Sequence, residues 1–258
     1  MGMTLATRET LRFSDDNAKL DKINSWYLPM FGREAVVYSV SMPSGWTCPF
    51  AFDCLAKTDR YTGRIKDGKE AHFRCYAATM EARSKGLREI VWDNFTKVRG
   101  KSLEEMLDVI VESIRTLPMN CNLCRVHVGG DYFNEDYFRA WMLAAKQFPH
   151  IRFYSYTKSL AYWVNNRDLV PENFSLIASK GGRQDYLIDE NNLRYAEVVK
   201  DEDEAFRKGL VPDYDERCAI VGEDSFALPI HNTQPKGNLA LLRSAKDLAD
   251  LRFIIRRE

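Results

Sequence analysis

Net charge is what this sequence has least of: 37 Lys and Arg residues are offset by 37 Asp and Glu over 258 positions. A broad electrostatic footprint for nucleic acid is therefore not indicated, although a local basic patch stays open. No run approaches the ~20 apolar residues of a membrane span, and the stretch Met1-Gly-Met-Thr-Leu-Ala-Thr-Arg-Glu9 lacks the apolar core of a secretory signal. The expectation is a cytoplasmic protein with no membrane partner. There is also no internal repeat, low-complexity tract or linker. Residues 1–258 are thus expected to form one α/β domain, a common size for a single-domain α/β barrel.

What the sequence does have is cysteine: Cys48, Cys54, Cys75, Cys121, Cys124 and Cys218. In a reducing compartment these are metal-binding, catalytic or buried rather than disulfide-linked. Three of them lie in one stretch. Val36-Val-Tyr-Ser-Val-Ser41 has the composition of a buried strand, bounded by Gly32, Pro43 and Gly45. The loop Met42-Pro-Ser-Gly-Trp-Thr-Cys48-Pro-Phe-Ala-Phe-Asp-Cys54 leaves its end. Between Cys54 and Cys75, a hairpin over Thr62 to Phe73 with its turn at Asp67-Gly68 is expected. Such a hairpin would fold the spacer back and bring three thiolates together.

Along the rest of the chain, residues 1–34 read as a polar cover with a short helix near Asp16 to Ile23. Helices are expected at 87–98, from the capping box Ser102-Leu-Glu-Glu105 to Pro118, and around Phe138 to Ala145. Further short helices are expected near 160–164 and 202–208. Strands are expected at 125–128, 151–156, 174–178, 195–199 and 225–230, with a last helix over 239–248 and an unassigned basic tail from Leu251 to Glu258. About six alternations of strand and helix imply a parallel sheet, because parallel strands need crossover connections. The polar clusters all follow strands and would gather at one end, which carries the active site in barrels of this kind.

Soft thiolates select zinc, copper(I) or iron–sulfur clusters. Three loop cysteines after a first strand favour a cluster, which is held mainly by thiolates. Zinc competes, but structural zinc sites usually have four closed ligands and paired short spacings. The one short pair, Cys121 and Cys124, precedes its strand and would lie at the other end of the sheet, ~15–20 Å away. Cys218 reads as a third far-end thiol. Inert cysteines remain a third alternative, and His72 is a candidate fourth ligand.

Two resemblances follow from these motifs. The cysteine loop after the first strand and Gly129-Gly130-Asp131 after the second resemble the partial (β/α)6, TIM-like parallel barrel of radical S-adenosylmethionine enzymes. That resemblance implies a [4Fe-4S] cluster on Cys48, Cys54 and Cys75, with Gly129, Gly130 and Asp131 near the methionine part of S-adenosylmethionine. The spacings here are Cys-x5-Cys and Cys-x20-Cys rather than the family's Cys-x3-Cys-x2-Cys, and Asp131 replaces Glu. The second resemblance is to the phage family called gene product eighty-eight. It rests on Ser44-Gly-Trp-Thr-Cys-Pro-x3-Asp-Cys-Leu-Ala-Lys57, Phe73-Arg-Cys-Tyr-Ala-Ala78, Val126-His-Val-Gly-Gly-Asp-Tyr-Phe133, Tyr154-Ser-Tyr-Thr-Lys-Ser-Leu160, Ala178-Ser-Lys-Gly-Gly-Arg183 and His231-Asn-Thr-Gln-Pro235. It implies a virus-encoded protein acting in the infected host cell and supplies no reaction.

Among the remaining candidates, Gly129 and Gly130 permit close approach of a ligand, with Asp131 as acceptor of an amine or hydroxyl. An ordinary strand-to-helix turn is the competing reading. Lys158, Lys180 and Arg183 are candidates for an anionic group at the open end. His231, Asn232 and Gln234 suggest a polar pocket. The expected protein is a cluster-binding α/β domain with an open iron for a small molecule; the alternatives are an electron carrier, a host-interaction protein and a zinc-stabilised binding module.

Overall fold

The computed structural model describes residues 9–15 and 20–230. The cluster at His231, Asn232 and Gln234, the helix expected over 239–248 and the tail from Leu251 lie outside the described residues. In chain order the strands are β1 (Ser14–Asp15), β2 (Val37–Val40), β3 (Ala56–Thr58), β4 (Ile65–Asp67), β5 (Leu123–Val126), β6 (Arg152–Thr157), β7 (Phe174–Ser179), β8 (Tyr195–Val199), β9 (Val211–Pro212) and β10 (Phe226–Pro229). The helices are α1 (Leu20–Phe31), α2 (Tyr76–Arg83), α3 (Lys85–Val98), α4 (Leu103–Arg115), α5 (Glu135–Lys146), α6 (Leu160–Asn165), α7 (Tyr186–Glu190), α8 (Glu202–Arg207) and α9 (Arg217–Val221).

Eight strands form one mixed but mostly parallel sheet in the order β1-β2-β5-β6-β7-β8-β10-β9. Within this sheet, among the described residues, only β1 runs antiparallel to its neighbour. From β2 to β10 the order follows the chain, without the reversal that marks a doubly wound sheet. β1 and β9 are free edges, so among the described residues the sheet does not close on itself.

Alternation along each strand builds two cores. Val40, Cys124, Val126, Phe153, Phe174 and Leu176 face α4 and α5, whose apolar stripes bury Met106, Ile110, Phe138 and Trp141. Their odd-numbered counterparts across the sheet, among them Val37, Leu123 and Ile177, join Tyr154, Ala196 and Phe226 on the other face. That second face is covered by Ile23, Trp26 and Tyr27 of α1 and by Ala219 and Ile220 of α9. The interior side of the sheet is therefore filled by protein. The helix near Asp16 to Ile23 runs further than expected, because the stripe Ile23, Trp26, Tyr27 continues past that window.

The capping box is present: Ser102 Oγ accepts the Glu105 amide and Glu105 accepts the Ser102 amide. The hairpin between Cys54 and Cys75 also forms, but its turn is not at Asp67-Gly68. β3 pairs with β4 through Ala56 and Asp67, Lys57 and Lys66, and Thr58 and Ile65. The turn spans Asp59 to Arg64 because the Asp59 carboxylate accepts the amides of Tyr61 and Thr62 and the Thr62 hydroxyl. Gly63 supplies the left-handed residue at φ 71°.

Trp141 is fully buried between α5 and the sheet. Replacing Trp141 with Ala is expected to cost about 3–5 kcal/mol. A lowered urea midpoint with an unchanged denaturant slope checks this.

Candidate metal centre

The cysteine loop leaves the carboxyl end of β2, and the next three strands in the sheet, β5, β6 and β7, each send residues to meet it. Inside the loop, the Thr47 amide and hydroxyl both bond the Pro43 carbonyl at 3.1 and 2.9 Å. This tight turn aims the Gly45 amide at Cys48 Sγ, 3.3 Å away. After the hairpin, the Asp53 carbonyl accepts the amides of His72 at 2.7 Å and Phe73 at 3.1 Å. That pair of bonds returns the chain to the position it left, so Cys75 comes back beside Cys54. Cys75 is then the N-cap of α2.

The sequence-predicted groups among the described residues lie around this loop. Gly129 and Gly130 admit the loop itself, and Gly129 also lines a groove beside α2. A Cβ on Gly129 would stand 2.9 Å from Ala77 Cβ, and one on Gly130, at φ 82°, would stand 2.6 Å from both Met42 Cβ and Thr47 Oγ1. The Asp131 carboxylate is already engaged. Oδ1 accepts from Thr157 Oγ1 at 2.6 Å and the Tyr132 amide at 2.8 Å, while Oδ2 accepts the Lys158 amide at 2.8 Å. The Lys158 ammonium is buried and donates to Ser179 O, Ser179 Oγ and Lys180 O at 2.7, 3.0 and 2.7 Å. All three of its protons are used, so Lys158 pins β6 to β7 instead of reaching into solvent. Lys180 pairs with Glu197 at 3.0 Å and lies over the Tyr195 ring.

The segment after β7 is a clasp on the cysteine loop. The Asp53 amide bonds Gly181 O at 2.9 Å, the Arg183 amide bonds Phe50 O at 2.8 Å, and Ala51 bridges Gly182. Arg183 lies over Phe52 at 5.3 Å. His72 is half-exposed and its Nδ1 meets Asp53 Oδ1 at 3.2 Å.

Electrostatically, Cys48, Cys54 and Cys75 form one group. The three residues keep some exposed surface, yet their sulfur atoms are desolvated, and burial is the first cause raising each thiol. Cys48 is raised further by Asp131, Cys75 and Cys54, and Cys75 reaches about 12 with Cys54 as its second cause. Opposing this, Lys158 draws Cys54 down, the Gly45 amide draws Cys48 down, and the Ala77 and Ala78 amides draw Cys75 down. The α2 amides act on Cys75 without side-chain cap geometry. Cys121 and Cys124 interact with one another, elsewhere in the core, and Cys218 lies on α9. As they lie, no three His, Cys, Asp or Glu side chains among the described residues are gathered closely enough to hold a metal ion. The donor set nonetheless fits a soft metal centre: three desolvated thiols, amide donors for two of them, and a buried cation beside the third. A metal would deprotonate these thiols outright.

Two nearby groups escaped the sequence. Glu81 of α2 is buried; Oε1 accepts the Ser44 amide at 2.9 Å, and burial raises its carboxyl. It belongs to the wall of a groove of about 190 Å³ with Ser41, Tyr76, Ala77 and Gly129. His127 follows β5 with φ 66°, is buried and meets Tyr137 Oη at 3.3 Å, and burial lowers it to about 3. A single Glu in Ala-Ala-Thr-Met-Glu81 and a single His in a strand gave no pattern to read.

The chain belongs to the Gene product 88 family, whose model matches residues 5–257. It is similar to the Gene 88 protein of Mycobacterium phage L5, 24% identical over 216 residues that cover 80% of this chain and 76% of that one. It is also similar to the Gene 88 protein of Mycobacterium phage D29, 24% identical over 131 residues, 48% of each chain. No solved structure matches. Among the described residues no helix is long and apolar enough to cross a membrane.

Two expectations follow. Gly130→Ala combines a left-handed backbone with a clash against Met42 and should destabilise the protein on the order of 1–3 kcal/mol, read as a lowered melting temperature. Burial raises Asp131 to about 6 against an ordinary 3.8, and outweighs its hydrogen bonds from Thr157, Lys158 and Tyr132 and the Lys158 charge. With a raised folded-state value, its contribution is full below about pH 4 and lost as pH rises through about 6. Urea midpoints of wild type relative to Asp131→Asn should therefore fall across that window; a rise would contradict the shift.

Proposed function

We propose that this phage-family protein binds a [4Fe-4S] cluster through Cys48, Cys54 and Cys75 at the carboxyl end of an open, partial (β/α)6-like barrel, and acts inside the infected host cell. The observation that carries this reading is the selective convergence of three thiols from distant positions into one desolvated, mutually coupled group. The other three cysteines stay apart from it. Three thiolates leave one iron of a cluster without a cysteine, whereas a structural zinc ion wants four closed ligands. The chain-ordered parallel strands support the barrel part of the reading.

A bound cluster supplies one-electron redox chemistry and an iron with an open position. The chain's own contribution is electrostatic and positional. Lys158 places a buried positive charge near Cys54. The Gly45 amide and the first turn of α2 favour thiolate at Cys48 and Cys75. Gly129 and Gly130 let the loop seat closely enough for these groups to act. An electron carrier follows directly from this arrangement. A second reading, an enzyme binding S-adenosylmethionine or another small molecule at the open iron, draws on the groove between Gly129, Ser41 and Tyr76. Against its methionine-binding version stands Asp131, whose two oxygens are both taken.

Anaerobic purification should give roughly four irons and four sulfides per chain. Cys48→Ala, Cys54→Ala and Cys75→Ala should each abolish iron binding, and Cys121→Ala and Cys124→Ala should leave it intact. Stoichiometric zinc, or iron retained in all three loop variants, would overturn the cluster. Electron paramagnetic resonance of the reduced protein separates the two readings: a shifted signal with S-adenosylmethionine indicates the enzyme, and reversible cycling without a shift indicates the carrier.

A further inference from the structure

The zero net charge of the chain hides a local imbalance. From Lys57 to Lys69 the hairpin insertion carries five cations, Lys57, Arg60, Arg64, Lys66 and Lys69, against two carboxylates. Both carboxylates are occupied: Asp59 holds the turn amides, and Asp67 pairs with Arg74. Neither Lys57 nor Arg60 has an ion-pair partner among the described residues.

The cations on this surface lie against aromatic rings. Lys57 Nζ lies 4.8 Å from the centre of the Trp46 ring. Trp46 meets Trp92 of α3 edge-on at 5.7 Å. The Arg60 guanidinium lies 5.2 Å from Trp92 and 5.7 Å from Tyr61. The result is a continuous row, Lys57, Trp46, Trp92, Arg60, Tyr61. Tyr61 is 83% exposed and Trp46 47% exposed, the former at the hairpin tip. Together with the half-buried Trp92 these rings make one contiguous aromatic patch, which marks an interaction surface more than a single exposed ring does.

The row is rigidly mounted. Trp46 Nε1 bonds Thr58 O at 2.9 Å, and Thr58 Oγ1 bonds Ala78 O of α2 at 2.8 Å. Arg88 of α3 reaches Arg60 O with Nε and, with Nη1, Glu81 O and Ala82 O. Trp46 and the backbone at Arg60 are thus held in place before any partner arrives, which lowers the entropy lost on binding. Cations interleaved with exposed rings are the chemistry that holds single-stranded nucleic acid: rings stack on bases of any sequence, and cations follow the phosphates.

We propose that the hairpin face formed by Lys57, Trp46, Trp92, Arg60 and Tyr61 binds single-stranded nucleic acid. This does not depend on whether the thiols carry a cluster, because the row involves no cysteine.

The test is fluorescence anisotropy of the full chain with labelled oligo(dT) and oligo(U) of about 15 nucleotides, starting at about 50 mM salt. Tyr61→Ala should weaken binding on the order of tenfold. Arg60→Ala should weaken it and flatten the dependence of log affinity on log salt by about 0.7. Lys146→Ala, on the far helix α5, should change affinity less than about twofold, as expected for a surface cation outside the site. Circular dichroism of each variant confirms that it folds. Preference for oligo(dT) or oligo(U) identifies the strand type, and either supports the site. The proposal is overturned by no binding at low salt, by equal affinity for a blunt duplex or for polyglutamate, or by binding that folded Tyr61→Ala and Arg60→Ala leave unchanged.

Discussion

Three strand ends are laced together by one buried lysine. The Lys158 amide is held by Asp131 from the end of β5, and its ammonium is held by the Ser179 and Lys180 carbonyls from the end of β7. An ammonium taken out of water is tolerated only when every donor is matched, and here the match is complete. The lacing fixes the rim on which the cysteine loop rests. Gly129 and Gly130 give the loop its seat on one side, and Gly181 and Gly182 clasp it on the other. Loss of the lysine would leave Asp131 buried beside the thiols without its nearest cation, so the damage would spread from the rim to the sulfur atoms.

The same lysine offsets part of the site's electrostatics, drawing Cys54 and Asp131 down against the burial that raises them. Three desolvated thiols and a buried carboxylate repel further negative charge, which is why burial and mutual interaction raise Cys48 and Cys75 so far. Lys158 and the surrounding amides soften that repulsion without cancelling it. Such a place suits neutral thiols or a centre whose metal charge offsets the thiolates. It does not suit a nucleophilic cysteine, whose reactivity requires a lowered thiol value and open access. Catalysis by a free thiolate is therefore a poor fit for any of the three.

How far the sequence could be read depended on whether a property is periodic or made by contact. The strands β2, β5, β6, β7, β8 and β10 are visible as short apolar runs, and their parallel direction follows from alternation with helices. The Ser102 capping box was visible because its two partners are three residues apart. The hairpin turn was misplaced because Asp67-Gly68 is the stronger dipeptide signal, whereas Asp59 wins by accepting two amides and a hydroxyl. Asp131 and Lys158 were visible as polar residues after strands. That they spend their hydrogen bonds on one another's strands depends on β5, β6 and β7 being neighbours, which no local pattern encodes. α9, which covers the inner face with α1, is five residues long and too short to announce itself by period.

The charged insertion between Cys54 and Cys75 ties the two surfaces of the protein together. One end of it is anchored by the Asp53 carbonyl, which returns Cys75 to the thiol group. Its first strand carries Lys57 and holds Trp46 through Thr58 O, and its turn carries Arg60. Trp46 itself sits in the Pro43 to Cys48 turn, one residue after the amide that points at Cys48 Sγ. Gly45 has no room to move, since a Cβ there would fall 2.2 Å from Ala56 O in β3. Trp46 therefore joins the Cys48 turn to β3. The basic, aromatic face and the thiol group are thus both built on the single stretch from Pro43 to Cys75.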